Sequence, residues 1–392
     1  MKVVGCLIAA TIIATSSLAQ QVGPCKIFPA DNWWNIDISK YPVHPLSDKY
    51  LAKMGLTKKL HPDFGSPAEY GIPYVVVGAD QPFVKISYDQ SGWPGESDPG
   101  PYPIPPNAPI EGAGNSGDQH VIAVDTANCT LYELYLSSKD ASGAGWTCYS
   151  SAKYDLTSNA LRPDGWTSAD AAGLPIFPGL VRYDEALAGE INHALRFTTD
   201  TTQRGYITPA RHFASKFNDT TFPPMGLRVR LKESYDISSF TGMAKVILVA
   251  LKKYGLILAD NGSDWFISGA TDPRWPDDDI NELKKVPASA FEAIYSGPVK
   301  LGPESSVTIA NEPSYFSIYP NPASSQATIE FSASGNTILT ITDMLGRAIE
   351  VLHISSGISR INYDTKSLSQ GSYIISLGTD GAIKRKILQV LK

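Results

Sequence analysis

Proline and glycine leave this chain almost nowhere to grow a long helix. Its 29 prolines and 32 glycines make up 61 of 392 residues. Each proline removes a backbone N–H donor and fixes φ at about −65°, which breaks helix interiors and bars central strand positions. Residues 96–109, ESDPGPYPIPPNAP, are the extreme case and can only be extended or turn structure. A helical bundle or coiled coil is therefore excluded. With 43% hydrophobic and 18% charged residues, so is a disordered tail protein. What remains is a turn-rich β or α+β protein, and at roughly 150 residues per domain the length suits two or three packed units.

Residues 1–19 have the layout of a secretory signal peptide: a charge at Lys2, an apolar run over 3–14, then Ser17 and Ala19 before a cut at Gln20. The apolar run is shorter than the ~20 residues that span a bilayer. No later segment has the composition of a transmembrane helix, since the most apolar, 243–258, carries Lys252 and Lys253. Once Cys6 leaves with the signal, Cys25, Cys129 and Cys148 remain. Three thiols leave one unpaired within the chain. Cys129 and Cys148 flank a Ser/Gly-rich stretch between two strand-like runs and are the favoured pair, with Cys25 competing for either.

Residues 20–298 read as one secreted, β-rich α+β passenger domain. Strand-like runs fall at 74–77, 83–87, 120–125, 130–136, 191–198 and 227–231. One helix is expected over 243–254, where Met243, Val246, Ile247, Ala250, Leu251 and Tyr254 form an apolar stripe closed by Gly255. A hairpin is expected next, 256–259 turning at Asn261-Gly262 into 265–267, and a short helix after Pro276. Residues 299–314 read as a Gly/Pro/Ser-punctuated linker.

From Phe316 the pattern changes to short alternating runs at 328–331, 339–342 and 373–377, separated by turn residues, which reads as a small β-sandwich. Three ordered motifs stand out: YPNPA at 319–323, DMLGR at 343–347, and QGSYIISL at 370–377 followed by the basic KRKILQVLK at 384–392. They closely resemble the type A C-terminal sorting domain of the type 9 secretion system of one phylum of Gram-negative bacteria. The resemblance covers about 75 residues and places an Ig-like sandwich at 315–392. It implies two-step export, with the secretion machinery as partner, and release or tethering at the outer cell surface. Charge divides accordingly: residues 316–392 carry seven basic and five acidic residues, leaving 25 basic and 34 acidic for residues 20–315. An acidic passenger is unsuited to nucleic acid.

The chemistry of the passenger is less marked. GxSxG, HExxH, GxxxxGKS, a helix-opening GxGxxG and an EF-hand loop are all missing from the sequence. Polar residues gather in three places. In GDQHVIAVD, Asp118 and His120 lie two apart at a strand start, so period-two geometry puts both on one face with Ile122 and Val124. RYDEALAGEINHALRFTT holds Arg182, Asp184, Glu185, Glu190, His193 and Arg196. Taken as a strand, it separates His193 from Arg196, and the odd offset of Glu190 and His193 disfavours a metal pair. PARHFAS places Arg211 and His212 in a loop.

These residues support a cleft in which His120, His193 and His212 meet a carboxylate of Asp184, Glu185 or Glu190. Histidine would act as acid or base, and Arg196 would hold a substrate carboxylate. The blander alternative makes His120 and His193 satisfied side chains on half-buried strands and pairs Arg196 with an acid. Loop-borne tryptophans (Trp33, Trp34, Trp93, Trp146, Trp166, Trp265 and Trp275) either stack on sugars or pin loops. The acid-rich 259–279 stretch lacks the spacing of a known calcium loop. The expectation is a cofactor-independent, carbohydrate-active enzyme acting on a polysaccharide, a glycoside hydrolase or a polysaccharide lyase. The alternative is a noncatalytic glycan-binding or adhesive surface protein.

Overall fold

The computed structural model describes residues 20–114, 117–301, 316–331, 337–343, 348–355, 357–379 and 382–392. The expected signal peptide, all of the linker beyond residue 301 and residues 344–347 of the DMLGR motif lie outside them. The chain divides into two compact units, residues 1–302 and 303–392. Among the described residues no helix is long and apolar enough to cross a membrane.

The first unit is built on a four-stranded sheet, in the order β10 (Ser150–Asp155), β7 (Thr130–Tyr135), β6 (Val121–Asp125) and β4 (Tyr74–Val77). Alternation along each strand sends side chains to opposite faces. Ile122, Val124 and Leu131 enter the main core, while Val121, Ala123, Tyr132 and Leu134 enter a second one. That second core is closed by a three-stranded sheet of β5 (Ile86–Tyr88), β9 (Trp146–Cys148) and β8 (Ser138–Lys139). All five residues of β6 are buried, which is why its sequence is apolar on both faces.

The main core is shared with a six-stranded sheet: β16 (Phe291–Ile294), β13 (Arg228–Leu231), β14 (Leu256–Asn261), β11 (Leu195–Thr199), β15 (Phe266–Ser268) and β3 (His61–Asp63). Helix α3 (Gly242–Lys253) buries Ala244, Ile247, Leu248 and Leu251 in the same core. Burial of each large aliphatic there contributes about 1.5–3 kcal/mol, so Ile247→Asp would detach the helix. It ends at Gly255, whose φ of 68° suits glycine and where a Cβ would sit 2.3 Å from the Val229 carbonyl oxygen. Shorter helices are α1 (Ser47–Lys53), α2 (Tyr183–Ala188) and α4 (Asp277–Ile280). Two small ladders pair β1 (Gln21–Val22) with β2 (Cys25–Lys26) and β12 (Gly205–Tyr206) with β17 (Lys300–Leu301).

Two expectations need correction. The segments at 256–259 and 265–267 do not form a hairpin, because β11 lies between β14 and β15, parallel to the first and antiparallel to the second. The disulfide joins Cys25 to Cys129, and Cys148 is a buried free thiol. Cys129 precedes the start of β7, whereas Cys148 lies beside Ser150, which pairs with Tyr135 at the strand's far end. A strand of that length rises roughly 3.3 Å per residue, well beyond the reach of a disulfide.

The second unit is a β-sandwich. One sheet is β18 (Phe316–Tyr319), β19 (Gln326–Phe331) and β22 (Arg360–Asp364). The other is β21 (Ala348–Ile354), β20 (Thr337–Asp343), β23 (Gly371–Thr379) and β24 (Ala382–Val390). Their facing side chains, among them Ile318, Ile329, Phe331, Leu339, Ile341, Ile375 and Leu388, form the core. The YPNPA motif fastens the entry of this unit to its last strand. Asn321 donates to the Ile387 carbonyl at 2.7 Å and accepts from the Gln389 amide at 2.8 Å, and the Ala323 amide reaches the Gln389 carbonyl at 2.8 Å.

Candidate active site

In the first unit, the ends of β7 and β14 and the start of β10 open onto a cleft of about 410 Å³. Its walls include Asp118, Tyr135, Asp170, His212, Asp260 and, at the rim, Trp93. Trp93 is 46% exposed and stands 6.3 Å from Tyr135, centroid to centroid, a pair of aromatic faces open to a ligand.

Behind the cleft wall, bonded to two of its lining carboxylates, lies Arg196 of β11. It is buried, and it donates from Nε and Nη2 to the two oxygens of Asp170 at 2.8 and 2.9 Å. Its Nη1 reaches Ser268 Oγ at 2.5 Å, and Nη2 lies 3.3 Å from Asp260 Oδ2. This is a bidentate, charge-assisted pair with a second carboxylate beside it. One guanidinium faces two acids, so they are not both stabilised as anions. Burial, and then the negative charge of Asp170, push the Asp260 carboxyl up to about 8 against the pull of Arg196, and the carboxyl hydrogen-bonds to Asp170. Asp260 keeps about 20% of its side chain open to the cleft. Its raised pKa favours the protonated carboxyl on the side that faces the cleft.

One layer below sits His120. Its Nδ1 is 2.6 Å from Glu111 Oε2 and its Nε2 2.9 Å from the Ala169 carbonyl. Both ring nitrogens face acceptors, so the ring is satisfied only as the imidazolium. Burial alone would lower its pKa, but the Glu111 carboxylate overrides this and pushes it up to about 9. Strand β6 begins only at Val121, and Gln119 has a φ of 48°. The alternation expected from Asp118 to His120 is broken there: Asp118 lines the cleft and His120 turns inward. Deeper still, Glu133 accepts from the Ile176 and Phe177 amides at 2.8–3.0 Å, and burial pushes it up to about 7.

The remaining sequence candidates separate. His212 is on the cleft wall, its Nδ1 2.8 Å from the Ala171 carbonyl. His193 is fully buried in another cluster, with Nδ1 2.8 Å from the Ala194 carbonyl and Nε2 3.1 Å from Glu185. Glu185 also pairs with Arg182, which donates to Gln20 Oε1 at 2.8 Å. Burial would raise Glu185, but Arg182 and His193 hold it down at about 2. Asp184 is exposed and pairs with Arg274 at 3.0 Å; Glu190 is exposed beyond the Gly189 cap of α2. Of the sequence candidates His212 lines the cleft, Arg196 and His120 lie buried behind its wall, and His193, Asp184 and Glu190 lie elsewhere. The reason is local: α2 ends at Ala188 and the strand expected over 191–198 starts only at Leu195, which leaves Glu190 and His193 in the connection between them.

Sequence reading passed over Asp170 and Tyr135, took Asp118 only as a neighbour of His120, and met Asp260 only inside an acid-rich stretch. No local pattern marks them, because the cleft is assembled from seven separate stretches of chain. Among the described residues, no three His, Cys, Asp or Glu side chains are grouped to hold a metal ion.

The second unit is a small β-sandwich whose entry motif is tied to its basic last strand. Residues 317–390 match the family described as Secretion system C-terminal sorting domain. The protein carries the type 9 sorting signal and is exported to the cell surface or the medium. A similar solved structure is that of PorZ, an essential bacterial surface component of the type-IX secretion system of Porphyromonas gingivalis. It is 17% identical over 27% of this chain and 14% of that one, with a TM-score of 0.18. No curated protein matches the chain.

Proposed function

We propose that residues 20–301 form a secreted glycoside hydrolase acting on an uncharged polysaccharide, with Asp260 as its general acid. The observation that carries this reading is the placement of the Asp260 carboxyl beside the Asp170–Arg196 pair, where burial and Asp170 raise its pKa, on a cleft rimmed by Trp93 and Tyr135. Hydrolysis needs an acid near its working pH to protonate the leaving oxygen and a carboxylate to activate water. Asp260 gives its proton to the glycosidic oxygen as the C–O bond breaks. Asp118, exposed on the same cleft, takes the proton of the attacking water. Trp93 and Tyr135 offer faces for sugar rings.

Charge argues for hydrolysis over elimination. A lyase acting on uronates needs a cation free to neutralise the sugar carboxylate, yet Arg196 is committed to Asp170, Asp260 and Ser268. Among the described lining residues, His212 is the lone basic side chain against three aspartates. The cleft wall therefore offers no free guanidinium or ammonium to hold a uronate carboxylate.

The test is release of reducing ends from neutral polysaccharides by the purified protein and by Asp260→Asn. Turnover that collapses in the variant supports the reading. Exposed Trp93 favours a second reading, glycan binding without turnover. Binding that persists in Asp260→Asn, with no turnover by the parent, would select it.

A further inference from the structure

A second, smaller cavity of about 70 Å³ lies apart from the cleft and shares no lining residue with it. On its wall is Arg228 of β13, which is 3% exposed. Its Nε and Nη2 donate to the Tyr254 carbonyl at 3.2 and 2.9 Å, and Nη2 also reaches the Ile36 carbonyl at 3.3 Å. Those neutral acceptors hold the guanidinium without balancing its charge. Arg162, Arg182 and Arg196, buried in the same unit, each have a carboxylate partner. Arg228 has none among the described residues; Asp37 and Tyr41 act on it only through space, and burial pulls its pKa down to about 9. A buried cation without a counter-charge is costly, and one that persists calls for an anion.

Independently, Ser296 lines the same cavity, and its Oγ is buried and without a hydrogen-bond partner. Thr208 adds a second hydroxyl-bearing side chain, while Trp33, Tyr41 and Ile257 make the other walls apolar. Such surroundings strengthen any charge–charge contact. Among the described residues no carboxylate lines the cavity, and its volume exceeds the roughly 10–15 Å³ that a single water requires.

We propose that this cavity binds a small oxyanion of formate, acetate or bicarbonate size, held by the Arg228 guanidinium and the Ser296 hydroxyl. The site is independent of the hydrolytic reading of the cleft. It is tested by titrating the purified full chain, in chloride-free buffer at constant ionic strength, with formate, acetate, bicarbonate and glucuronate, followed by calorimetry and thermal melting. A small anion is expected to bind saturably and to raise the Tm by a few degrees, with glucuronate too large to enter. Ser296→Ala removes a hydroxyl that no protein group uses, so the fold stays intact and affinity should fall about tenfold. Asp260→Asn should leave anion binding unchanged. No saturable response to any small anion, binding of glucuronate but not acetate, or full affinity in Ser296→Ala would each overturn the proposal.

Discussion

Replacing Glu111 by glutamine isolates the electrostatics beneath the cleft. His120 is 1% exposed and its charge is compensated by one carboxylate, Glu111 Oε2, at 2.6 Å. Raising its pKa from 6.5 to about 9 corresponds to roughly 3 kcal/mol in favour of the protonated fold. The variant leaves either an uncompensated imidazolium or a neutral ring with one nitrogen facing an acceptor, and breaking a buried pair in this way costs about 3–5 kcal/mol. Because the folded pKa of His120 is raised, this contribution is fully present below about pH 6.5 and is lost as pH rises through about 9. Glu111 is shifted the other way: burial would raise it, but His120 holds it below its ordinary value. Its share is therefore present above its unfolded pKa of about 4.5 and is lost as pH falls through the lower folded value. The difference between parent and variant should be largest between about pH 4.5 and 6.5. Urea unfolding followed by tryptophan fluorescence is the assay, since every tryptophan from Trp33 to Trp275 lies in the first unit. A variant within about 0.5 kcal/mol of the parent near pH 6, or an equal deficit near pH 10, would refute the reasoning.

Three further outcomes are expected. Cys25→Ser opens a bridge across 104 residues and should lower stability by about 4–5 kcal/mol by calorimetry, while Cys148, its thiol pushed up to about 12 by burial, should resist thiol reagents until the chain unfolds. Glu133→Gln should stabilise the fold by about 1–2 kcal/mol near pH 8 in urea titrations. The folded pKa of Glu133 is raised, so its charged form opposes folding increasingly as pH climbs above about 4.5, and glutamine removes that slope. Glu185→Gln should cost about 3–5 kcal/mol by stranding Arg182 and His193, with turnover per folded molecule unchanged because that cluster does not line the cleft.

What the sequence disclosed depended on how local its cause was. The second unit was legible because strand alternation, turn residues and the YPNPA motif are all short-range, and Asn321 keeps its meaning when seen bonded to β24. Helix α3 was legible for the same reason: an apolar stripe with a glycine stop. Strand order was not. Nothing in 256–267 announces that β11 will lie between two neighbouring strands and cancel the hairpin. The site was half legible. Arg196, His120 and His212 were singled out by residue type, but their partners Asp170, Glu111 and Asp260 are distant in sequence or unmarked. His193 was misleading because the buried Glu185–Arg182 pair beside it looks, in sequence, like a catalytic cluster.

Reducing-end release from a panel of neutral polysaccharides, parent against Asp260→Asn, tests the proposed chemistry most directly. The parent should be active with a rate that declines as pH rises through about 8, where Asp260 loses its proton, and the variant should lose about 100-fold or more in kcat with KM little changed. No release by the parent from any neutral polymer, or a variant as active as the parent, would contradict it.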